Sequence, residues 1–379
     1  MQTAEYTKLF ELRDQLHESP ELSFEEFKTS EIIESFLNDH IKGIEAFKVI
    51  KPYKTSIVVE YKNADNKPFK LFRADMDALP VLESSDNPVI SKNEGVMHAC
   101  GHDIHMTVLC GLIARTALNM PKENVLFVFQ PGEEGAGGAK KMIAEGVFDN
   151  YNICCAHALH VTDDHFLGEV ASNDNILFAI PKEVNVEFYG SSAHAAFPEK
   201  GCDALAAAAS FLTDLEYQIR RKINPTSIFL AHFGKITSGT ARNIVSDKSI
   251  VEGTLRAFDP EVMEKGMEVV GTVATLAAQK FGCSAKVKTL GEYVEVRNTP
   301  ELYKKLKNIC EDTEIKCVCK NGELVGEDFG YFTKKFSGIM FWIGSCEEGK
   351  APETLHSKTF FPSSKALVTG LEIMWKMLL

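Results

Sequence analysis

N-V-L-F-V-F-Q-P-G-E-E-G-A-G-G-A, the stretch Asn124–Ala139, decides the class of fold. Its first part, Asn124–Phe129, is almost continuously apolar and predicts a strand covered on both faces. The residues after the glycines, Gly138–Ala144, have the pattern of a helix. Continuously apolar strands followed by helices are typical of parallel sheets covered by helices. The stretch therefore predicts an α/β layer fold.

The same alternation of strands and helices extends outward from this stretch. Ser56–Tyr61 and Pro68–Phe72 predict two further strands, and Phe27–Leu37 and Met106–Leu118 predict helices. Strands that alternate with helices in this way build a mostly parallel sheet covered by helices. We predict that this sheet is the core of the larger domain.

A second, self-contained pattern lies between residues 180 and 290. Strands and helices follow the order β-α-β-β-α-β, at Glu183–Tyr189, Asp203–Lys222, Ser227–Phe233, Ile250–Phe258, Pro260–Phe281 and Ser284–Thr289. This order is the split, ferredoxin-like arrangement. We predict an inserted lid domain at 180–290 within a discontinuous catalytic domain at 1–179 and 291–379. The alternative is one sheet that runs through the whole chain.

Composition narrows the class of partner. The chain has 379 residues, with 41 Lys and Arg against 53 Asp and Glu, and a formal net charge of −12. A chain this acidic, with no basic run, is poorly suited to hold nucleic acid or an anionic membrane surface by charge. We expect a small-molecule partner, no nucleic acid and no membrane. Without a leader or membrane span, and with ten cysteines but no C-x-x-C pair, the expected location is the cytoplasm.

Residues that bind metal ions gather in five short segments, each predicted to be a loop that follows a strand or an apolar run. Strand ends converge on one crevice in an open α/β sheet, so residues distant in sequence are expected to meet there. The segments are Arg73–Asp77 with two aspartates, Met97–His105 with Cys100, Gln130–Glu134 with two glutamates, His157–His160, and Leu355–Ser357 with one histidine.

Thiolate, imidazole and carboxylate together suit zinc, and the nitrogen and oxygen donors also accept manganese, nickel or cobalt. Five ligands are too many for one tetrahedral ion with an open position, so we expect two divalent ions. Glu133, beside a ligating Glu134, is then available as the general base on a water.

Each residue taken alone has an ordinary explanation. A single histidine can be a hydrogen-bonded core residue, Cys100 a buried thiol, the two glutamates a solvated pair, and the aspartates a helix cap. The glycines after Glu134 are similar to a phosphate-binding loop, but no G-K-[ST] follows and the dinucleotide fingerprint is absent. The order and spacing of the segments together favour the metal centre.

The motifs resemble those of the metal-dependent peptidase family that contains aminoacylases, hippurate hydrolase and auxin-amino-acid hydrolases. The resemblance covers nearly the whole chain and is carried by R-A-D-M-D-A-L-P at Arg73–Pro80, M-H-A-C-G-H-D at Met97–Asp103, F-Q-P-G-E-E-G-A-G-G-A at Phe129–Ala139, A-L-H-V at Ala158–Val161, S-A-H-A-A-F-P at Ser192–Pro198, G-T-A-R-N at Gly239–Asn243, G-E-D-F at Gly326–Phe329 and L-H-S at Leu355–Ser357. It implies a zinc-peptidase-like catalytic domain with an inserted lid.

The resemblance also implies roles for individual residues. Glu133 would be the general base and later the proton donor to the leaving amine, and Asp75 would orient a metal-ligating histidine. The metal pair, with Cys100 as the candidate bridging ligand, would be held by Cys100, His102, Glu134, His160 and His356.

Residues of the predicted lid would contact the substrate. His194 and Asn243 match family positions that help to bind the substrate carbonyl, so they would stabilise the oxyanion on lid closure or across a dimer. Arg256 and Arg242 are candidates for binding a substrate carboxylate, because a guanidinium offers two parallel donors.

The activity implied is metal-dependent hydrolysis of the amide bond of an N-acyl amino acid, in a chain that is a possible homodimer. The alternative within this class is a broad aminoacylase or hippurate-type hydrolase. A hypothesis from another class is a non-catalytic protein that stores metal or exchanges thiols through Cys100. A protein that only stores metal or exchanges thiols would need neither a general base nor a lid.

Overall fold

The computed structural model describes residues 2–379 and the side chains from residue 6 onward. Two compact units are present. The first runs to Leu177 and resumes over Val296–Asn321 and Asp328–Leu379, and the second consists of Phe178–Glu295 and Gly322–Glu327. Across residues 2–379 no helix combines the length and the apolar character needed to cross a bilayer.

The strands, in chain order, are β1 Phe47–Ile50, β2 Ile57–Lys62, β3 Phe69–Asp75, β4 Asn124–Gln130, β5 Ile153–Phe166, β6 Glu169–Ser172, β7 Ile176–Phe178, β8 Ile180–Tyr189, β9 Phe229–Ser238, β10 Lys248–Ala257, β11 Ser284–Glu292, β12 Val296–Arg297, β13 Lys316–Cys319 and β14 Ser337–Cys346. The helices are α1 Gln2–His17, α2 Phe27–Ile41, α3 His102–Asn119, α4 Gly138–Ala144, α5 Ala204–Lys222, α6 Pro260–Lys280, α7 Pro300–Asp312, α8 Gly330–Lys335 and α9 Ala366–Leu378.

An eight-stranded mixed sheet organises the first unit, in the order β1-β2-β4-β3-β5-β14-β6-β13. The pairs β4–β3, β3–β5, β5–β14 and β6–β13 are parallel. β1–β2, β2–β4 and β14–β6 are antiparallel. The prediction of a mostly parallel sheet is therefore confirmed for the centre of the sheet, whereas the β1–β2 edge runs antiparallel.

Four neighbouring parallel strands place their carboxyl ends at the same edge of this sheet, where ligand sites form in α/β folds. β3 ends at Asp75, and β4 ends at Gln130 just before the two glutamates. α3 is buried from His102 to Thr116. A helix that is enclosed on all sides keeps its first residues in a fixed position.

The second unit contains β8, α5, β9, β10, α6 and β11 in that order, in an antiparallel sheet ordered β11-β8-β10-β9. α5 and α6 begin at aspartates, Asp203 and Asp259, whose carboxylates accept backbone N–H groups of the first turn. One face of the sheet and the two helices enclose a separate apolar core that includes Phe188, Phe211 and Val270.

Candidate metal centre

Gly101 determines how Cys100 and His102 are presented. It precedes α3 with φ of +79°, and a Cβ at this position would lie 2.2 Å from Cγ1 of Val161. Only glycine combines a left-handed conformation with the absence of a side chain. The turn places Cys100 and His102 on the same side, at the carboxyl edge of the sheet.

Cys100 lies at the centre of the predicted ligand set. Its Sγ is 3.3 Å from Nε2 of His160 and 3.3 Å from Nε2 of His356. Two groups share this thiol: Cys100, His102 and His160 form one, and Cys100, Glu134 and His356 form the other, with ligand atoms within 4.8 Å of one another in each. The predicted ligands, separated by up to 256 residues, therefore meet, and both groups contain the Cys100 thiol.

The side chains fit a pair of divalent cations. His102 donates from Nδ1 to the carbonyl of Asp77 at 2.8 Å, and His160 from Nδ1 to the carbonyl of Val161 at 2.8 Å, which leaves both Nε2 lone pairs directed at the cluster. Within residues 2–379, Nε2 of His102 and Oε1 of Glu134 are buried without a hydrogen-bond partner. Buried polar atoms that lack a partner are rare, and a cation satisfies both.

The electrostatics of the cluster fit a site for a cation. Burial, followed by the charge of Glu134, raises the pKa of the Cys100 thiol well above its usual range, and burial lowers the pKa of His160. Burial raises the pKa of Glu134, but His356 and His102 outweigh it and leave the pKa lowered. A divalent cation would favour the thiolate, because coordination deprotonates a thiol.

His102, the first residue of α3, and His160 lie in regular structure rather than in the predicted loops, whereas His356 lies in a turn, as its predicted loop allows. His160 is inside β5, paired with Trp342 of β14, so the expectation of a loop was wrong here. His356 has φ of +66°, and its side chain is 52% exposed. The left-handed turn is held by a hydrogen bond from the His356 N–H to the carbonyl of Ala99 at 2.8 Å.

Asp77 joins the two halves of the cluster, a role the sequence analysis did not assign. Its carboxylate accepts the N–H groups of Glu133 and Glu134, each at 2.9 Å, and its carbonyl accepts from His102. Ser23 Oγ donates to the same carboxylate at 2.6 Å. The available signal was the second aspartate of the R-A-D-M-D motif, two residues after the end of β3.

Asp75 contacts a histidine, but its nearest one is outside the predicted ligand set. It accepts from Nδ1 of His105 at 2.6 Å, whereas Nε2 of His102 is 3.7 Å away. Nε2 of His105 accepts the N–H of Val161 at 2.9 Å. Because both ring nitrogens are engaged, His105 is unsuited to bind a metal, and Asp75 fixes its tautomer.

Glu133 lies beside the ligands and is 6% exposed. The Asp328 N–H approaches its Oε1 at 3.4 Å. Asp328 is itself held by Arg73 at 2.9 Å, by Nε2 of Gln130 at 2.9 Å and by the N–H of Ala139 at 2.9 Å. The G-E-D-F motif thus places a fixed donor next to the expected base.

The expected lid residues belong to the second unit. His194 and Asn243 are exposed and lie on adjacent loops, joined by a hydrogen bond from the Ala195 N–H to the Asn243 carbonyl at 2.9 Å. Arg256 is on β10, and its Nη2 lies 3.4 Å from Oε1 of Glu183. Burial lowers the pKa of Arg256. Arg242, the other candidate, is exposed.

Gly138 holds the loop that carries the two glutamates, and its N–H donates to the carbonyl of Gly132 at 2.8 Å. A Cβ at Gly138 would lie 1.7 Å from the carbonyl oxygen of Pro131. Gly138→Ala is expected to destabilise the protein by about 1–3 kcal/mol, since the backbone must move, and to lower kcat by displacing Glu133. Thermal unfolding and kcat measure both effects. Gly271→Ala, in α6 with open space around it, is the matched control; equal behaviour of the two variants would contradict this account.

The cluster contains a thiol, three imidazoles and a carboxylate, gathered around Cys100 at the carboxyl edge of an α/β sheet. Together with the buried Glu133 beside them, these side chains define a metal-dependent hydrolase. The chain belongs to peptidase family M20/M25/M40, whose sequence profile matches residues 71–379. The family resemblance inferred from the sequence motifs is thereby confirmed.

Curated relatives match over nearly the full length. N-acetyldiaminopimelate deacetylase of Lactococcus lactis subsp. cremoris (strain SK11) is 37% identical over 372 residues, which cover 98% of this chain and 97% of the relative. The protein of the same name from Pediococcus pentosaceus is 34% identical, with coverage of 99% and 98%.

Solved structures share the fold. A putative aminohydrolase from methicillin-resistant Staphylococcus aureus superposes with a TM-score of 0.91 at 24% identity, covering 99% of this chain and 96% of that one. A dinuclear metal-binding peptidase of the M20 family from Bacillus subtilis superposes with a TM-score of 0.85 at 26% identity, with coverage of 99% and 98%.

Proposed function

We propose that this hydrolase removes the acetyl group from N-acetyl-L,L-diaminopimelate and releases acetate and L,L-diaminopimelate, a step of lysine biosynthesis. The observation that carries the proposal is full-length identity of 34–37% to relatives named N-acetyldiaminopimelate deacetylase. The cluster around Cys100 supports it, because amide hydrolysis needs a strong electrophile and an activated water.

The proposed ligands of two divalent cations are Cys100, His102, Glu134, His160 and His356. When bound, the cations polarise the amide carbonyl and lower the pKa of water from 15.7 toward about 7. The thiol favours zinc, and the nitrogen and oxygen donors accept zinc, manganese, nickel and cobalt alike. The M20 relative described as dinuclear supports the number of ions.

Glu133 is proposed to move the proton. Its carboxylate takes a proton from the attacking water and delivers it to the departing nitrogen, so one group acts first as base and then as acid. Asp77 accepts the backbone N–H of Glu133, and the N–H of Asp328 lies 3.4 Å from its Oε1, so the two residues keep Glu133 in place. Asp75 would fix the orientation of His105 through their hydrogen bond, and its charge would act at longer range on His102.

The second unit is proposed to be a ferredoxin-like lid, a role supported by its order of strands and helices. His194 and Asn243 would stabilise the oxyanion after closure, and Arg256 would bind a substrate carboxylate in exchange for Glu183. A homodimer stays a prediction. A cytoplasmic location is supported by the state of the ten cysteines, all of which are free thiols.

His194→Ala is expected to lower kcat by about 10²–10³-fold, the cost of losing one oxyanion donor, with metal content unchanged. His40→Ala, on α2 of the first unit, serves as a control for the loss of a histidine. Steady-state kinetics and metal analysis separate the two variants. A His194→Ala enzyme with a normal kcat would contradict the role of this residue.

A panel of N-acyl amino acids tests the proposed substrate. The enzyme, reconstituted with each of the four metals, should hydrolyse N-acetyl-L,L-diaminopimelate with the highest kcat/KM. Higher kcat/KM values on N-benzoyl or N-indoleacetyl amino acids would instead show a hippurate-type hydrolase. If the enzyme hydrolysed none of these amides, the result would support the alternative hypothesis of a protein that stores metal or exchanges thiols.

A further inference from the structure

An irregularity at the start of β5 brings two cysteine side chains together. Ile153 pairs with Phe69 and Cys155 pairs with Lys70, so Cys154 has no partner residue on β3. Consecutive side chains of a regular strand point to opposite faces, and an extra, bulged residue interrupts this alternation. Here Sγ of Cys154 lies 3.5 Å from Sγ of Cys155, within hydrogen-bond distance for sulfur.

The two thiols differ in environment. Cys154 is exposed, whereas Cys155 is 9% exposed. Burial disfavours the charged form, so Cys155 keeps its proton and is able to donate it toward Cys154. When Cys154 is protonated, it donates instead to the carbonyl of Phe69, 3.4 Å away. Lys70 of β3 and Lys305 of α7 add positive charge near the pair, opposed by Glu123 just before β4. The hydrogen bond from Cys155 is the largest of these effects and lowers the pKa of Cys154 to about 6, while the same contact raises the pKa of Cys155.

We propose that Cys154 is a modification site, a nucleophilic thiolate activated by the neighbouring Cys155 thiol, that takes up small disulfides of the R–S–S–R class. The Cys154 thiolate attacks one sulfur of the disulfide. A Cys154–S–S–R bond forms, the S–S bond of the reagent breaks, and RS⁻ leaves and takes a proton from water. The disulfide reagent is the oxidant, so the step needs no other reactant.

Geometry favours a stable mixed disulfide over an internal one. Cysteines joined by a disulfide usually have Cα atoms about 4.4–6.8 Å apart, whereas neighbouring residues across a trans peptide are only about 3.8 Å apart. A bond between Cys154 and Cys155 would therefore require the strand to distort. Cys155 activates Cys154, but it is poorly placed to displace the bound group.

The site is remote from the metal ligands. His160 follows Cys154 by six residues on the same strand, which corresponds to about 20 Å. Modification of Cys154 is therefore expected to leave hydrolysis unchanged. The proposal for Cys154 does not depend on the proposed function, and the two are tested by separate experiments.

The test treats the metal-loaded protein with cystine from pH 5 to 9 and follows each cysteine by peptide mass mapping. A thiol with a pKa near 6 has about 150-fold more thiolate at pH 6 than an ordinary cysteine, and its lower intrinsic nucleophilicity reduces the advantage to about tenfold. Cys154 should therefore react about tenfold faster at pH 6 than Cys319, the other exposed cysteine of the ten. Its rate should level off above pH 7.

Variants at residue 155 separate activation from simple exposure. Cys155→Ala removes the donor and should slow the reaction of Cys154 at pH 6 severalfold, whereas Cys155→Ser retains an O–H donor and should restore most of the rate. Equal rates for Cys154 and Cys319 in the unaltered protein, or no effect of Cys155→Ala, would overturn the proposal. The first comparison needs no variant and is unaffected by a folding defect.

Discussion

Glu133→Gln is expected to lower kcat by about 10²–10⁴-fold, the usual contribution of a general acid–base group. The amide has nearly the same shape as the carboxylate but takes up no proton near neutral pH. Its contacts should persist, because the Asp77 carboxylate holds the backbone N–H of residue 133 rather than its side chain. Metal content and KM should therefore change little, and the loss should appear in kcat.

The experiment combines steady-state kinetics with metal analysis of the purified variant. Glu145→Gln, an exposed glutamate just after α4, controls for the loss of a carboxylate. Near-normal turnover by Glu133→Gln would refute its role as base. A loss of metal from this variant would instead show that Glu133 is a ligand, since it also lies within 4.8 Å of His102 and Glu134.

Cys100→Ala is expected to abolish activity and to reduce the content of both metal ions, because the thiol is shared by the two groups of ligands. His356→Ala removes a residue of one group only and should leave about one ion per chain. Metal binding to the folded state raises stability by mass action, so the rise in Tm on adding metal should be large for the unaltered protein, smaller for His356→Ala and smallest for Cys100→Ala.

Cys110→Ala is the matched control, since Cys110 is a fully buried thiol of α3 outside the cluster. It should keep its metal and its activity. A Cys100→Ala protein that binds two ions per chain would show that the thiol does not bridge. Metal counting and thermal unfolding in the presence and absence of a chelator provide the two readouts.

Local patterns predicted much of the first unit. The strand expected at Asn124–Phe129 is β4, Asn124–Gln130, and the helix expected at Gly138–Ala144 has those bounds. These segments are buried on all sides or have clear helical periodicity, so their own residues determine their structure. Motif resemblance indicated which side chains gather around Cys100, because their residue types and order are specific even when their distances in space are unknown.

Features that depend on distant parts of the chain were not predicted. His160 was expected in a loop, but β5 continues past it to Phe166. The length of β5 depends on its pairing with β14, almost two hundred residues later in the chain. The R-A-D-M-D motif marks Asp77 as a candidate, but the roles of Asp77 and His105 depend on contacts with backbone N–H groups of residues distant in the sequence. The segment Gly322–Glu327 joins the second unit only through tertiary structure.

The position of β14 in the sheet bears on how the protein is made. β14 lies between β5 and β6, and His356 follows it close to the carboxyl end of the chain. During synthesis, which adds about 5–20 residues per second from the amino end, the sheet therefore has a gap until β14, Ser337–Cys346, has emerged from the ribosome. The proposed ligand set is accordingly incomplete until His356 has been synthesised, and nascent chains that stall earlier would expose unpaired strand edges to chaperones and proteases.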